Sequence, residues 1–137
     1  MEVRMRVSEL MQSNLVTIPS ESLVSEAIMA LADAHVTGLP VVDTNGHLVG
    51  VLSTSDILTA LAERSPEDEQ GVLFENTLVR DLMTPKPMTI RPQAPMKEAA
   101  QQMLYANVHR LFVEKDGELL GVISQSDVVR AVANARV

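Results

Sequence analysis

The sequence predicts a mixed α/β fold, α+β in layout, made of two tandem β-α-β-β-α motifs packed with pseudo-twofold symmetry. Three observations predict it. The phrase GVLSTSDIL at 50–58 returns as GVISQSDVV at 121–129. The chain also superposes on itself at an offset of 72 residues. VSELM at 7–11 falls on VRDLM at 79–83, Thr17-Ile18 on Thr89-Ile90, Glu26-Ala27 on Glu98-Ala99 and Leu39 on Leu111. After the hairpin the offset drops to 71, because DTNG at 43–46 is one residue longer than KDG at 115–117. A loop absorbs such a deletion, so the self-similarity is that of a structural repeat.

The elements follow in order. LVTI at 15–18 is a short apolar run with β-branched residues, closed by Pro19, and reads as a strand. Ser22 is the expected N-cap of LVSEAIMALADAH, whose Val24, Ala27, Ile28 and Leu31 share one helical face. LPVVD and HLVGVLS flank Thr44-Asn45-Gly46, where Asn-Gly favours an antiparallel hairpin. SDILTALAER closes the first copy as a helix, and SDVVRAVANA echoes it. In the second copy Pro95 stands where an N1 proline would open MKEAAQQMLYAN. The repeats divide the chain into motif 1 at 1–62, an acidic linker at 63–78 and motif 2 at 79–137, with Leu73 and Phe74 expected to pin the linker to the body. A motif of about 55–60 residues buries little of its own surface, so the two are expected to share one core as a single globule.

Composition excludes several classes. Hydrophobic residues make up 46% and charged residues 21%, a globular balance. No apolar run approaches the ~20 residues that span a bilayer, and the N-terminus carries no apolar stretch of the secretory kind. With no Cys there is neither a disulfide framework nor a thiolate metal site, and the expected setting is the cytoplasm. A net charge of −7 opposes sequence-independent nucleic-acid binding. Phe74, Tyr105 and Phe112 are too few for a single-strand stacking platform. Neither nucleic acid nor membrane is expected as a partner.

From Val7 to Ala133 each copy resembles a CBS motif, and the pair resembles a stand-alone CBS pair, or Bateman module. The resemblance rests on Leu-Met near each start, the Thr-Ile strand, LPVVD or RLFV, and Gly-apolar-apolar-Ser-x-x-Asp, in the same order twice. It implies binding of adenosine derivatives (AMP, ADP, ATP or S-adenosylmethionine) in clefts between the motifs. It further implies a sensing or inhibitory role and homodimers shaped as flat discs.

The repeated phrase has two readings. A Ser followed closely by an Asp is a good helix start, so capping explains Ser55 and Ser126 and partly Asp56 and Asp127. Capping by those residues leaves Ser53 and Ser124 unexplained. The resemblance implies a second role, in which Asp56 and Asp127 accept hydrogen bonds from ribose hydroxyls and Ser53 and Ser124 lie near ribose or phosphate. A carboxylate suits a cis-diol, and hydroxyls at a helix N-terminus suit phosphate. Thr54 adds a hydroxyl where the second copy has Gln125. For the base, the resemblance points to Val16, Thr17 and Ile18 with Leu39, Pro40 and Val41. In the second copy it points to Met88, Thr89 and Ile90 with Leu111, Phe112 and Val113. Backbone groups are favoured there, since aliphatic strand residues are ordinarily core.

One place differs between the copies. Thr37-Gly38 is replaced by His109-Arg110, a pair similar to the phosphate-contacting one in the nucleotide-sensing subunit of AMP-activated protein kinase. Arg offers a fork of donors matched to phosphate, and His adds a proton-dependent donor; a solvated Arg and a hydrogen-bonded His are the plain alternative. His35 and His47 form no close pair, so no metal site is expected. Nor does a nucleophile–base pattern or a phosphate loop point to catalysis. The expectation is therefore a homodimeric, non-enzymatic sensor of AMP, ADP or ATP, without cofactor, acting on an unidentified protein target. A ligand-free dimeric scaffold and an S-adenosylmethionine sensor are the alternatives.

Overall fold

The structure, a computed structural model, describes residues 5–64 and 72–135. The elements run α1 Val7–Leu10, β1 Ile18–Pro19, α2 Val24–Ala34, β2 Gly38–Val42, β3 Leu48–Ser53, α3 Thr54–Glu63 and α4 Val72–Asn76. They continue as α5 Val79–Leu82, β4 Thr84–Pro85, β5 Thr89–Ile90, α6 Met96–Ala106, β6 Arg110–Lys115, β7 Glu118–Ser124 and α7 Gln125–Asn134. Each copy is thus β-α-β-β-α, preceded by a one-turn leader helix. Most of the linker core, residues 65–71, lies outside the described residues, as does the side chain of Leu73.

The strands form two sheets, ordered β1-β2-β3-β4 and β5-β6-β7. In each, a two-residue strand runs parallel to the middle strand, Ile18 beside Val41 and Ile90 beside Val113, and the middle strand pairs antiparallel with the next. The central strands are buried at three successive positions, Leu39-Pro40-Val41 and Leu111-Phe112-Val113. Such runs belong to strands covered on both faces.

The hairpins show where the missing residue went. In the second copy Asp116 and Gly117 both take positive φ (53° and 85°) between the directly paired Lys115 and Glu118, a two-residue turn of the primed kind. In the first copy, residues 43–47 form a longer loop. There the Asp43 carboxylate accepts from the amides of Asn45 and His47, both at 2.9 Å, and Gly46 supplies the positive φ. Those backbone amides, chiefly that of His47, outweigh desolvation and hold the Asp43 carboxyl below its ordinary range, with the nearby His47 adding to the effect.

The helix starts differ from the sequence expectation in detail. Leu23, not Ser22, is the N-cap of α2, and Glu26 reaches back to its amide. Pro95 stands one place earlier than N1, as the N-cap of α6. Both helices end on a left-handed residue, His35 and Asn107, at equivalent places of the repeat.

By packing, the chain divides otherwise than by repeat. One compact unit joins the described residues up to Leu15 to those from Met88 onward; the other runs from Val16 to Pro87. Each unit has its own cluster of buried residues. Val7 completes the cluster of Ile90, Met103, Leu111, Val113 and Ile123, while Val79 completes that of Ile18, Leu31, Leu39, Val41 and Leu52. Each leader therefore serves the sheet of the other copy. Phe74 packs against the second of these clusters, so the linker is anchored there. Among the described residues no helix is long and apolar enough to cross a membrane.

The glycine that opens the repeated phrase is explained by this exchange. A Cβ on Gly121 would lie 2.7 Å from the Gln12 carbonyl oxygen and 2.8 Å from Met11 Sδ. A Cβ on Gly50 would lie 2.5 Å from Met83 Sδ and 2.9 Å from the Thr84 carbonyl oxygen. Real side chains do not tolerate such approaches. Gly therefore stands where the Leu-Met leader crosses the strand, and Gln12 and Val122 exchange two backbone hydrogen bonds there, at 2.8 and 2.9 Å.

Candidate functional site

The Ser-x-x-Asp phrases sit where β3 enters α3 and β7 enters α7. In each, the first Ser, Ser53 or Ser124, is the N-cap, and its hydroxyl accepts the amide of the Asp at 3.2 Å. The Asp closes a capping box in return. Oδ2 accepts the Ser amide at 2.8 Å and the Ser hydroxyl at 3.0 Å in both copies. Capping thus falls to Ser53 and Ser124, and it accounts for their being kept. Ser55 and Ser126 lie in the first helical turn with exposed side chains, as does Thr54.

The other carboxylate oxygen is held by the leader. Thr84 Oγ1 donates to Asp56 Oδ1 at 3.1 Å. Its repeat equivalent, Gln12, donates through Nε2 to Asp127 Oδ1 at 3.2 Å, and Arg130 adds a contact at 3.3 Å. The Asp127 side chain is only 6% exposed, whereas Asp56 is half-buried. Burial opposes ionisation of Asp127, but the bonds from the Ser124 backbone, Gln12, the Ser124 hydroxyl and Arg130 prevail and hold its carboxyl below the ordinary 3.8. Sequence reasoning missed Gln12, Thr84 and Arg130. The signal was present for two of them, since Gln12 and Thr84 are aligned directly after the repeated Leu-Met.

The strand residues divide by burial. Ile18, Leu39, Val41, Ile90, Leu111 and Phe112 are at most 7% exposed, and Pro40 is buried with them. Their side chains are core, so only their backbone is left to read a base. Val16, Thr17 and Met88 are exposed, and Thr89 is half-buried. The copies differ here too. The Phe112 amide donates to the Met88 carbonyl at 3.1 Å, whereas Pro40, its equivalent, has no N–H to offer Val16.

His109 and Arg110 are exposed at the start of β6, beside the cap of α7. Arg110 pairs with Ser124 in the sheet, and the His109 carbonyl accepts the Gln125 amide at 2.9 Å. The fold therefore brings His109, Arg110, Ser124 and Asp127 to one corner of their unit. In the other unit Thr37, Gly38, Ser53 and Asp56 hold the same corner, with Gly38 beside Ser53 and Thr37 accepting from the Thr54 amide. Asp127 also lines a cavity of about 330 Å³, whose walls are Glu9 and Leu10 of the leader with Arg130 and Ala131 of α7, not the strand residues expected to hold the base. Among the described residues no three His, Asp or Glu side chains gather as metal ligands.

A β-α-β-β-α motif written twice, each with its own sheet and a capped Ser-x-x-Asp at the sheet-to-helix step, defines a tandem-repeat module. The family model described as "CBS domain" matches residues 7–63 and 79–134, and the chain belongs to the CBS-domain family. It is similar to the chloroplastic CBS domain-containing protein CBSX2 of Arabidopsis thaliana, at 34% identity over 88% of this chain and 59% of that protein. The chain thus spans about three-fifths of that relative's length. It is also 32% identical to a CBS domain-containing protein of Dictyostelium discoideum, over 93% of this chain and 90% of that one. Among solved structures, that of CBSX2 in complex with AMP superposes with a TM-score of 0.78 at 33% identity, covering 94% of this chain and 96% of that one.

Proposed function

We propose that this chain is a non-enzymatic regulatory module that binds an adenosine nucleotide (AMP, ADP or ATP) and signals its occupancy to a protein target. The observation that carries the reading is the AMP complex of CBSX2, a protein 33% identical over nearly the whole chain. Each unit offers a carboxylate at a helix start for the ribose hydroxyls, Asp56 or Asp127. Val16 to Ile18 and Met88 to Ile90 offer strand backbone for the base. Arg110 supplies positive charge for phosphate, and His109 a ring nitrogen beside it, in a chain of net charge −7. S-adenosylmethionine carries no phosphate for Arg110 to read. The expected setting is the cytoplasm, which cell fractionation checks. Calorimetry of ligand-free protein against AMP, ADP, ATP and S-adenosylmethionine tests the ligand. Heat with AMP but not with S-adenosylmethionine supports the reading, and silence from all four overturns it.

Homodimerisation belongs to the same proposal, supported by two equivalent apolar helix faces. On α2 and α3, Met29, Leu58 and Leu61 are 67%, 63% and 42% exposed. On α6 and α7, Leu104, Tyr105, Val129 and Val132 are equally uncovered. Leu58 and Leu61 align with Val129 and Val132, so the same face recurs in both units, and a second copy is the partner it fits.

A second reading, a dimeric scaffold without ligand, is favoured by one observation. The Ser-x-x-Asp phrase closes a capping box in both copies, which gives its repetition a reason without a ligand.

A further inference from the structure

We infer that Gln12 and Thr84 are latches: each occupies the carboxylate oxygen that a ribose needs, and ligand binding must displace it. The inference rests on the nucleotide reading and deepens it. In both units Oδ2 of the Asp is spent on the cap, with two bonds from its own Ser, so a vicinal diol has to compete for Oδ1. That oxygen is taken by the residue that follows the Leu-Met leader, in both copies and by different chemistry, an amide in one and a hydroxyl in the other. The leader holds its latch in place through its backbone. Gln12 is tied to Val122 by two bonds and rides over Gly121, and Thr84 is paired with Val51 and rides over Gly50.

The two latches are unequal. At Asp127 the diol must displace the Gln12 amide and the Arg130 guanidinium from a carboxylate that is 6% exposed. At Asp56 it displaces one hydroxyl from a half-buried carboxylate, and Thr59 stands where the other copy has Arg130. Hydrogen bonds to a charged group are the strong class, so the closed latch lowers affinity at Asp127 by about tenfold relative to an unlatched carboxylate. The Asp56 site fills first. Filling of the Asp127 site frees the Gln12 side chain and loosens the leader from β7, which turns occupancy into a change in the segment before it. Gln12 is exposed, so its released amide passes to water without a buried vacancy.

The test isolates one site at a time. Asp56→Asn leaves the Asp127 site alone, and in that background Gln12→Ala is expected to raise AMP affinity about tenfold by calorimetry. Thr84→Val in an Asp127→Asn background is expected to raise affinity at the Asp56 site by a smaller factor. In the unaltered chain, saturating AMP is expected to speed hydrogen exchange at the Gln12 and Val122 amides. Unchanged or weaker AMP binding in Gln12→Ala, with AMP still bound by the unaltered chain, overturns the latch and leaves the nucleotide reading standing. AMP binding neither by the unaltered chain nor by any of the variants overturns both.

Discussion

Replacing Gly121 by Ala tests whether the leader exchange supports the fold. In a strand, Gly to Ala ordinarily stabilises by about 0.5–1 kcal/mol through backbone entropy, so this background works against the expected loss. At Gly121 the new methyl would sit 2.7 Å from the Gln12 carbonyl oxygen and 2.8 Å from Met11 Sδ. The thioether can swing aside; the carbonyl cannot, because Gln12 is held to Val122 on both its amide and its carbonyl. Either the strand and leader separate, straining two hydrogen bonds, or the leader lifts and takes Met11 and the fully buried Val7 from the core. Overpacking of this kind costs about 1–3 kcal/mol before the backbone gain is set against it. For a chain of this size the net loss lowers Tm by up to about 10 °C. Thermal melting by far-UV circular dichroism reads the loss, and amide exchange at Gln12 and Val122 locates it. Met11→Ala combined with Gly121→Ala is expected to recover only part, since the carbonyl contact remains. A Gly121→Ala protein with unchanged Tm and unchanged exchange at those amides would refute the reasoning.

Three further outcomes follow from the same geometry. Because the folded Asp127 carboxyl lies below its ordinary value, the unfolded chain binds the proton more readily. Its contribution to stability is therefore complete above about pH 5 and is lost as pH falls through and below 3.8; urea midpoints are expected to drop less steeply with acid in Asp127→Asn than in the unaltered chain. Arg110→Ala is expected to weaken AMP binding by about 1.5–3 kcal/mol while leaving adenosine nearly unaffected; equal losses for both would show that Arg110 supports the fold of the corner and does not read phosphate. Leu58→Glu together with Val129→Glu places charge on both uncovered helix faces, and sedimentation is expected to shift from dimer to the 14.9 kDa monomer. A species that sediments identically before and after the substitutions removes those faces from the interface.

Much of the architecture was legible because the repeat is nearly literal. Offsets of 72 and 71 place the strands, the helices and the hairpin deletion, and the two glycines with positive φ lie in the turns that the sequence marks. What escaped was non-local. Nothing in VSELM says that Val7 packs with Ile123 and not with Leu52, since both cores offer the same aliphatic surface. The helix starts slipped by a residue or two because Ser22, Ser55 and Ser126 are all competent caps locally, and tertiary pairing decides which residue takes the extended conformation. At the site, the Ser and Asp were found, but the sequence could not show that Asp127 would be buried under Gln12. That bond spans 115 residues of chain and depends on the leader exchange.

The exchange also bears on why the phrase is written twice with so few changes. A leader that served its own sheet could drift together with the strand it crosses, because both would lie in one copy. Here Met11 must fit Gly121 and Met83 must fit Gly50, so each copy's leader is matched to the other copy's strand. A larger residue at either glycine is penalised through a partner about 35 or 110 residues away, and the Leu-Met, the Gly and the Ser-x-x-Asp form one linked set in each unit. Within that set the residue after Leu-Met is held less tightly, being asked only to donate to a carboxylate oxygen. It is there that the copies diverge, to an amide over a buried Asp and a hydroxyl over a more open one. The parts that build the corner stay fixed, while the part that sets access to it varies.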